Sequence, residues 1–120
     1  MKAFIFSGQG SQVVGMGKTL CDLSETSMEY LEIADDILGY KLSELMFEGT
    51  KAQLKETRIT QPAVFVYSVI KARITRDFKP DMVAGHSLGE FSALSAIRAI
   101  KYADALRLVA KRAELMQAAC

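Results

Sequence analysis

Apolar positions along the chain fall into two kinds of segment: short apolar runs that end in glycine, and longer stretches with helical spacing. Lys2 to Phe6 is apolar and aromatic, then breaks at Ser7-Gly8-Gln9-Gly10-Ser11-Gln12, which predicts a strand running into a glycine loop. Ser24-Glu25-Thr26 offers caps for a helix through Met28, Leu31, Ile33, Ala34, Ile37 and Leu38, with Gly39 as its stop. Leu42 to Phe47 predicts a short helix ended by Gly49, and Thr50 to Thr57 another turn or two.

Thr60-Gln61-Pro62-Ala63 predicts the opening of a longer helix, with Pro62 at or near its first turn, where a missing N–H costs little. Ala63, Val66, Tyr67, Ile70 and Ile74 follow helical spacing, and Val64, Phe65 and Val69 widen the apolar face. Such a helix is expected beneath a sheet. After Pro80-Asp81, Met82-Val83-Ala84 predicts a second strand, and Leu88 to Ile97 a helix. From Ala103 onward Leu106, Val109, Ala110, Ala113 and Met116 share a helical face. Strands separated by buried helices imply an α/β fold, a parallel sheet with flanking helices. No repeat, low-complexity stretch or internal boundary divides residues 1–120.

Between the second strand and its helix lies Gly85-His86-Ser87-Leu88-Gly89, a G-x-S-x-G nucleophile elbow. The spacing has a steric cause. The serine must occupy a strained turn, and glycines two residues to either side let strand and helix approach without Cβ clashes. Its hydroxyl then stands beside the amide donors of a helix N-terminus, which can stabilise a negatively charged oxygen. The loop at Gly8-Gln9-Gly10 occupies the strand end where α/β folds place ligands, but it lacks the spacing of a nucleotide-binding loop.

Composition narrows the classes. A formal charge of +1 without a basic block argues against nucleic acid as the main partner. The apolar runs are too short to span a membrane, and the N-terminus lacks the apolar length of a signal peptide. A cytoplasmic protein is therefore expected. Cys21 and Cys120 lie far apart and form no ligand cluster, so free thiols are expected and no metal site.

Together, Phe6-Ser7-Gly8-Gln9-Gly10-Ser11-Gln12, Thr60-Gln61-Pro62-Ala63, Gly85-His86-Ser87-Leu88-Gly89-Glu90 and Asp104-Ala105-Leu106-Arg107 followed by Arg112 and Met116-Gln117 resemble the malonyl-CoA:acyl-carrier-protein transacylases. The resemblance covers the whole chain. It implies the N-terminal part of a large, α/β-hydrolase-like acyltransferase domain, truncated before a ferredoxin-like subdomain. It implies transfer of malonyl from coenzyme A to acyl carrier protein in fatty acid synthesis, with no cofactor beyond the thioester substrate. Ser87 is then the nucleophile, and the backbone amides of Gln9 and Leu88 the oxyanion hole. Arg112 holds the substrate carboxylate, and Gln61 lines the acyl pocket.

A guanidinium suits the carboxylate role because it binds in two prongs where lysine cannot. His86, the single histidine, is read as structural, since a strand-like position points its ring away from the serine. The resemblance puts the family's catalytic histidine beyond Cys120, so the 120 residues alone are expected to be nearly inactive. Where relatives often carry a glycine that closes the helix after the elbow, this chain has Arg98-Ala99-Ile100-Lys101. Two rival readings stay open. One is a serine esterase or thioesterase; the other is a non-catalytic module docking a carrier protein through Arg107, Lys111 and Arg112.

Overall fold

The computed structural model describes residues 3–6, 8, 12, 15–18, 24–75, 78, 80 and 82–119. Gln9, Cys21, Asp81 and Cys120, named above, lie outside the described residues, as does most of the loop from Ser7 to Gln12. Two strands, β1 (Ala3–Phe6) and β2 (Met82–Gly85), pair in parallel, with Ala3 opposite Met82 and Phe6 opposite Gly85. Parallel neighbours need a crossover. Among the described residues it includes α1 (Glu25–Leu38), α2 (Leu42–Glu48), α3 (Lys51–Lys55) and α4 (Thr57–Ile74). Helices α5 (Gly89–Ala96) and α6 (Tyr102–Ala119) follow β2.

The helix ends are set by side chains the sequence places there. Ser24 Oγ accepts from the Thr26 amide, and Gly39 closes α1 in a left-handed conformation (φ 78°). The α1 carboxylate of Asp35 accepts from both the amide and the hydroxyl of Ser43 (3.0 and 2.7 Å), which caps α2 from its neighbour. Thr50 and Gln53 form a reciprocal capping box on α3.

Helix α4 is the beam of the molecule. Residues Ile59 to Val66 are all buried, with Val69, Ile70 and Ala72 beyond them, between α1, α6 and α5. The predicted start is corrected: α4 begins at Thr57, so Pro62 lies inside it, not in its first turn. A proline there leaves the carbonyl four residues back without its N–H donor. That carbonyl belongs to Arg58, and the Tyr40 hydroxyl donates to it at 3.3 Å. Thr60 Oγ1 also donates to the carbonyls of Leu54 and Glu56, knitting the turn before the proline.

The main core joins α4 to Leu31, Ala34, Leu42, Met46 and Leu54 on one side and Tyr102, Leu106 and Val109 on the other. Tyr102 stacks on Phe65, meets Tyr30 edge-on at 4.6 Å and donates its hydroxyl to the Tyr30 carbonyl at 2.9 Å. A second cluster lies along the sheet: Phe6, Ala72, Ala93 and Ala96, with Phe4, Phe78 and Val83 packed against it. The predicted α/β architecture is present, with α4 packed against α5.

Candidate active site

Ser87 sits between β2 and α5 at φ 56°, in the left-handed region that a residue with a Cβ seldom occupies. Its neighbours explain why it is held there. A Cβ on Gly85 would fall 2.1 Å from the backbone carbon and oxygen of Gly89, so only glycine lets the strand end and the helix start touch. A Cβ on Gly8 would meet the His86 carbonyl oxygen at 2.7 Å, so the loop after β1 lies against the elbow. The Leu88 side chain is fully buried in the main core and pins the first turn of α5. The Ser87 hydroxyl is left on the surface, and the Leu88 amide is among the helix-start donors that have no acceptor within the helix.

Arg112 reaches this corner from α6. Its Nη2 donates to Ser87 Oγ at 2.9 Å, and its Nη1 donates to Gln61 Oε1 at 2.6 Å. Gln61 is fully buried, and its Nε2 donates to the thioether of Met116 at 3.1 Å. Nearby, Gln117 Oε1 accepts from the Arg58 amide at 2.8 Å, so the start of α4 and the end of α6 are laced together. Among the described residues no carboxylate pairs with Arg112, whereas Arg107 pairs with Asp104 and Lys111 lies 3.9 Å from Glu114.

The structure therefore brings together Ser87, Leu88, Arg112 and Gln61. Gln9 lies outside the described residues, although Gly8 beside it abuts the elbow. The hydrogen bond recorded at Ser87 Oγ comes from Arg112, and His86 is exposed, with its Nδ1 on the Gly8 side. Arg107, Lys111 and Arg112 do not form one basic face, because Arg112 turns in to the serine while the other two stay exposed beside acidic partners. Two features escaped the sequence reading: the Met116 contact with Gln61, and Arg73 at the far end of α4. A cation on a helix otherwise apolar on that side was the available signal for Arg73. No group of metal-ligating side chains occurs among the described residues, and no helix is long and apolar enough to cross a membrane.

A sequence model of the acyl transferase domain matches residues 3–120. The chain belongs to the acyl transferase domain family. Among its relatives is the polyketide biosynthesis malonyl CoA-acyl carrier protein transacylase BaeC of Bacillus velezensis, 44% identical over 99% of this chain and 41% of that protein. The malonyl CoA-acyl carrier protein transacylase of Bacillus subtilis is 43% identical over 98% of this chain and 38% of that protein. Among solved acyl transferases, the Synechocystis malonyl-CoA:ACP transacylase superposes with a TM-score of 0.93 at 45% identity, covering 99% of this chain and 41% of that one. A type II polyketide malonyl-transacylase solved with its acyl-carrier protein gives 0.91 at 40% identity, covering 98% of this chain and 39% of that one. The chain thus spans about two fifths of the length of these family members.

Proposed function

We propose that this chain carries the acyl-binding half of a malonyl transferase site, moving malonyl from coenzyme A to the phosphopantetheine thiol of acyl carrier protein. Ser87 Oγ attacks the thioester carbonyl, the C–S bond breaks, and the coenzyme A thiol leaves with a proton. The seryl ester is then discharged to the carrier thiol, which restores the Ser87 hydroxyl. The backbone amides of Leu88 and Gln9 hold the oxyanion, and the dipole of α5 adds to them. Arg112 holds the free carboxylate of the malonyl group, with Gln61 fixing the guanidinium.

One observation carries this reading: an arginine with no carboxylate partner among the described residues, bonded to a serine in a strained elbow. Arginine has five donors and a permanent charge. In this site two donors rest on neutral acceptors, so a dicarboxylic acyl group brings the charge that is missing. An acetyl group would leave that charge uncompensated, which is costly. The same observation disfavours a plain esterase, which has no use for a guanidinium at its nucleophile. It also disfavours a docking module, whose basic residues would face outward.

The Ser87 proton needs an acceptor, and no described side chain is placed to take it, so these 120 residues alone acylate slowly. The reading is of a cytoplasmic enzyme without cofactors beyond its thioester substrates. The test is intact-protein mass after incubation with malonyl-CoA. A malonyl-sized gain that vanishes in Ser87→Ala supports transfer through this serine. A gain that persists in Ser87→Ala refutes it.

A further inference from the structure

Arg73 lies in the last turn of α4 and is half-buried, yet it pairs with no carboxylate among the described residues. Its Nη1 donates to the carbonyl of Ala96 and its Nη2 to that of Ser95, both at 2.8 Å. Its Nε donates to the Tyr30 hydroxyl at 3.0 Å. The planar fork thus grips the last two residues of α5 and is itself tied to α1. A cation at a helix C-terminus is also favoured by the helix dipole.

Helix α5 needs such a grip. Its larger packing contacts, Leu88 and the half-buried Phe91, lie at its N-terminal end, whereas Ser92, Ala93, Ser95 and Ala96 beyond them are all small, so its C-terminal half presents little ridge for neighbouring grooves to lock. The hydroxyls of Ser92 and Ser95 are buried without a hydrogen-bond partner among the described residues, so they do not fix it either. Its far end carries Leu88 and Ser87. Meanwhile Gln61, twelve residues before Arg73 on the same helix, holds Arg112. At the rise of an α-helix the two anchors stand about 18 Å apart along α4. One rigid, buried helix therefore sets both partners of the site: Arg112 through Gln61, and the elbow helix through Arg73.

We propose that Arg73 is a positioning residue that fixes α5 along its own axis and so sets the separation of Ser87 from Arg112. The proposal rests on reading Ser87, Leu88 and Arg112 as one carboxylate-recognising site. Nitrogen-15 spectra of the folded chain test it. In Arg73→Gln the backbone amides of Ser87, Leu88 and Gly89 shift, while those of Leu106 and Val109 on α6 stay in place. A perturbation confined to Tyr30 and to residues 95–97 overturns the proposal.

Malonate titration adds a readout that a merely structural role would not move. In the unsubstituted protein malonate shifts the Leu88 amide and Arg112 Nε together. In Arg73→Gln the affinity read at both probes weakens by roughly tenfold, about the loss of one good hydrogen bond, and at saturation the Leu88 shift shrinks while that of Arg112 Nε keeps its size. Arg73→Lys, which can hold one carbonyl, recovers part of the Leu88 response. Unchanged affinity at both probes in Arg73→Gln overturns the proposal. If malonate moves neither resonance in the unsubstituted protein, the carboxylate reading fails, and the ligand-free shifts alone decide the clamp. Should Arg73→Gln not fold, Tyr30→Phe removes only the Nε acceptor and is judged by the same shifts.

Discussion

Arg112 and Ser87, 25 residues apart, meet at 2.9 Å across the start of α5, and the buried amide of Gln61 holds the guanidinium in that pose. Neither member of the pair is placed by local sequence alone. Ser87 is set by the steric contact of Gly85 with Gly89, and Arg112 by a helix that packs on α4.

Gln61 separates charge from shape at this site. Gln61→Leu leaves Arg112 without its inner acceptor, and it should cost about 1–3 kcal/mol of stability. Gln61→Glu restores an acceptor but neutralises the guanidinium, so it competes with the substrate's carboxylate. Seryl-malonate formation is expected to fall further in Gln61→Glu than in Gln61→Leu, although Gln61→Glu is the more stable protein. Thermal melts beside acylation rates check the two together, and the reverse order of acylation would refute the charge argument.

Two backbone positions should respond in opposite directions. Gly85→Ala drives a methyl to 2.1 Å from the Gly89 backbone, where nothing flexible can yield. The elbow must open, at a cost of about 3 kcal/mol or more. Arg98 follows α5 at φ 63°, a conformation in which glycine is unstrained and arginine is not. Arg98→Gly is therefore expected to stabilise the chain by about 0.5–1 kcal/mol. Urea unfolding measures both, and a destabilised Arg98→Gly would contradict the strain account.

Tyr40 predicts an alkaline limb. Burial pushes its hydroxyl from the ordinary 10.0 up to about 12, the opposing pull of Arg58 being smaller. The folded state then holds that proton more tightly than the unfolded chain. The stability that Tyr40 contributes should be level below pH 10, then fall as the pH rises to about 12. Tyr102 is pushed up further by burial and extends the same loss upward. In Tyr40→Phe the fall between pH 10 and 12 is expected to be shallower, on a lower plateau because the Arg58 carbonyl loses its donor. An unchanged alkaline slope would show that Tyr40 does not carry it.

Much of this was legible in the sequence because it depends on local rules. Gly39, Gly49 and Thr50 punctuate helices through backbone conformation and capping, and Gly85-x-Ser87-x-Gly89 specifies its own corner. The start of α4 departs from the helix-start rules for a tertiary reason: Tyr40, 18 residues before Arg58, satisfies the carbonyl that Pro62 strands, and no helix-start rule anticipates such a donor. Arg73 is silent in the sequence for a similar reason. Its acceptors are backbone carbonyls more than 20 residues away, and carbonyls leave no mark in a sequence. The sequence marks Arg98-Ala99-Ile100-Lys101 as a helix end without the usual glycine, but that Arg98 is the residue with the left-handed backbone is a structural fact.

The most direct measurement compares the rates at which Ser87 gains mass from malonyl-CoA and from acetyl-CoA, in the unsubstituted protein and in Arg112→Ala. Ser87 should take malonyl in preference to acetyl. In Arg112→Ala malonyl transfer should drop by about a hundredfold while acetyl transfer holds or rises, as expected when a charge-assisted pair is lost from one substrate only. Equal losses for both acyl groups, or none for malonyl, would contradict the claim that Arg112 recognises the carboxylate of the group Ser87 carries.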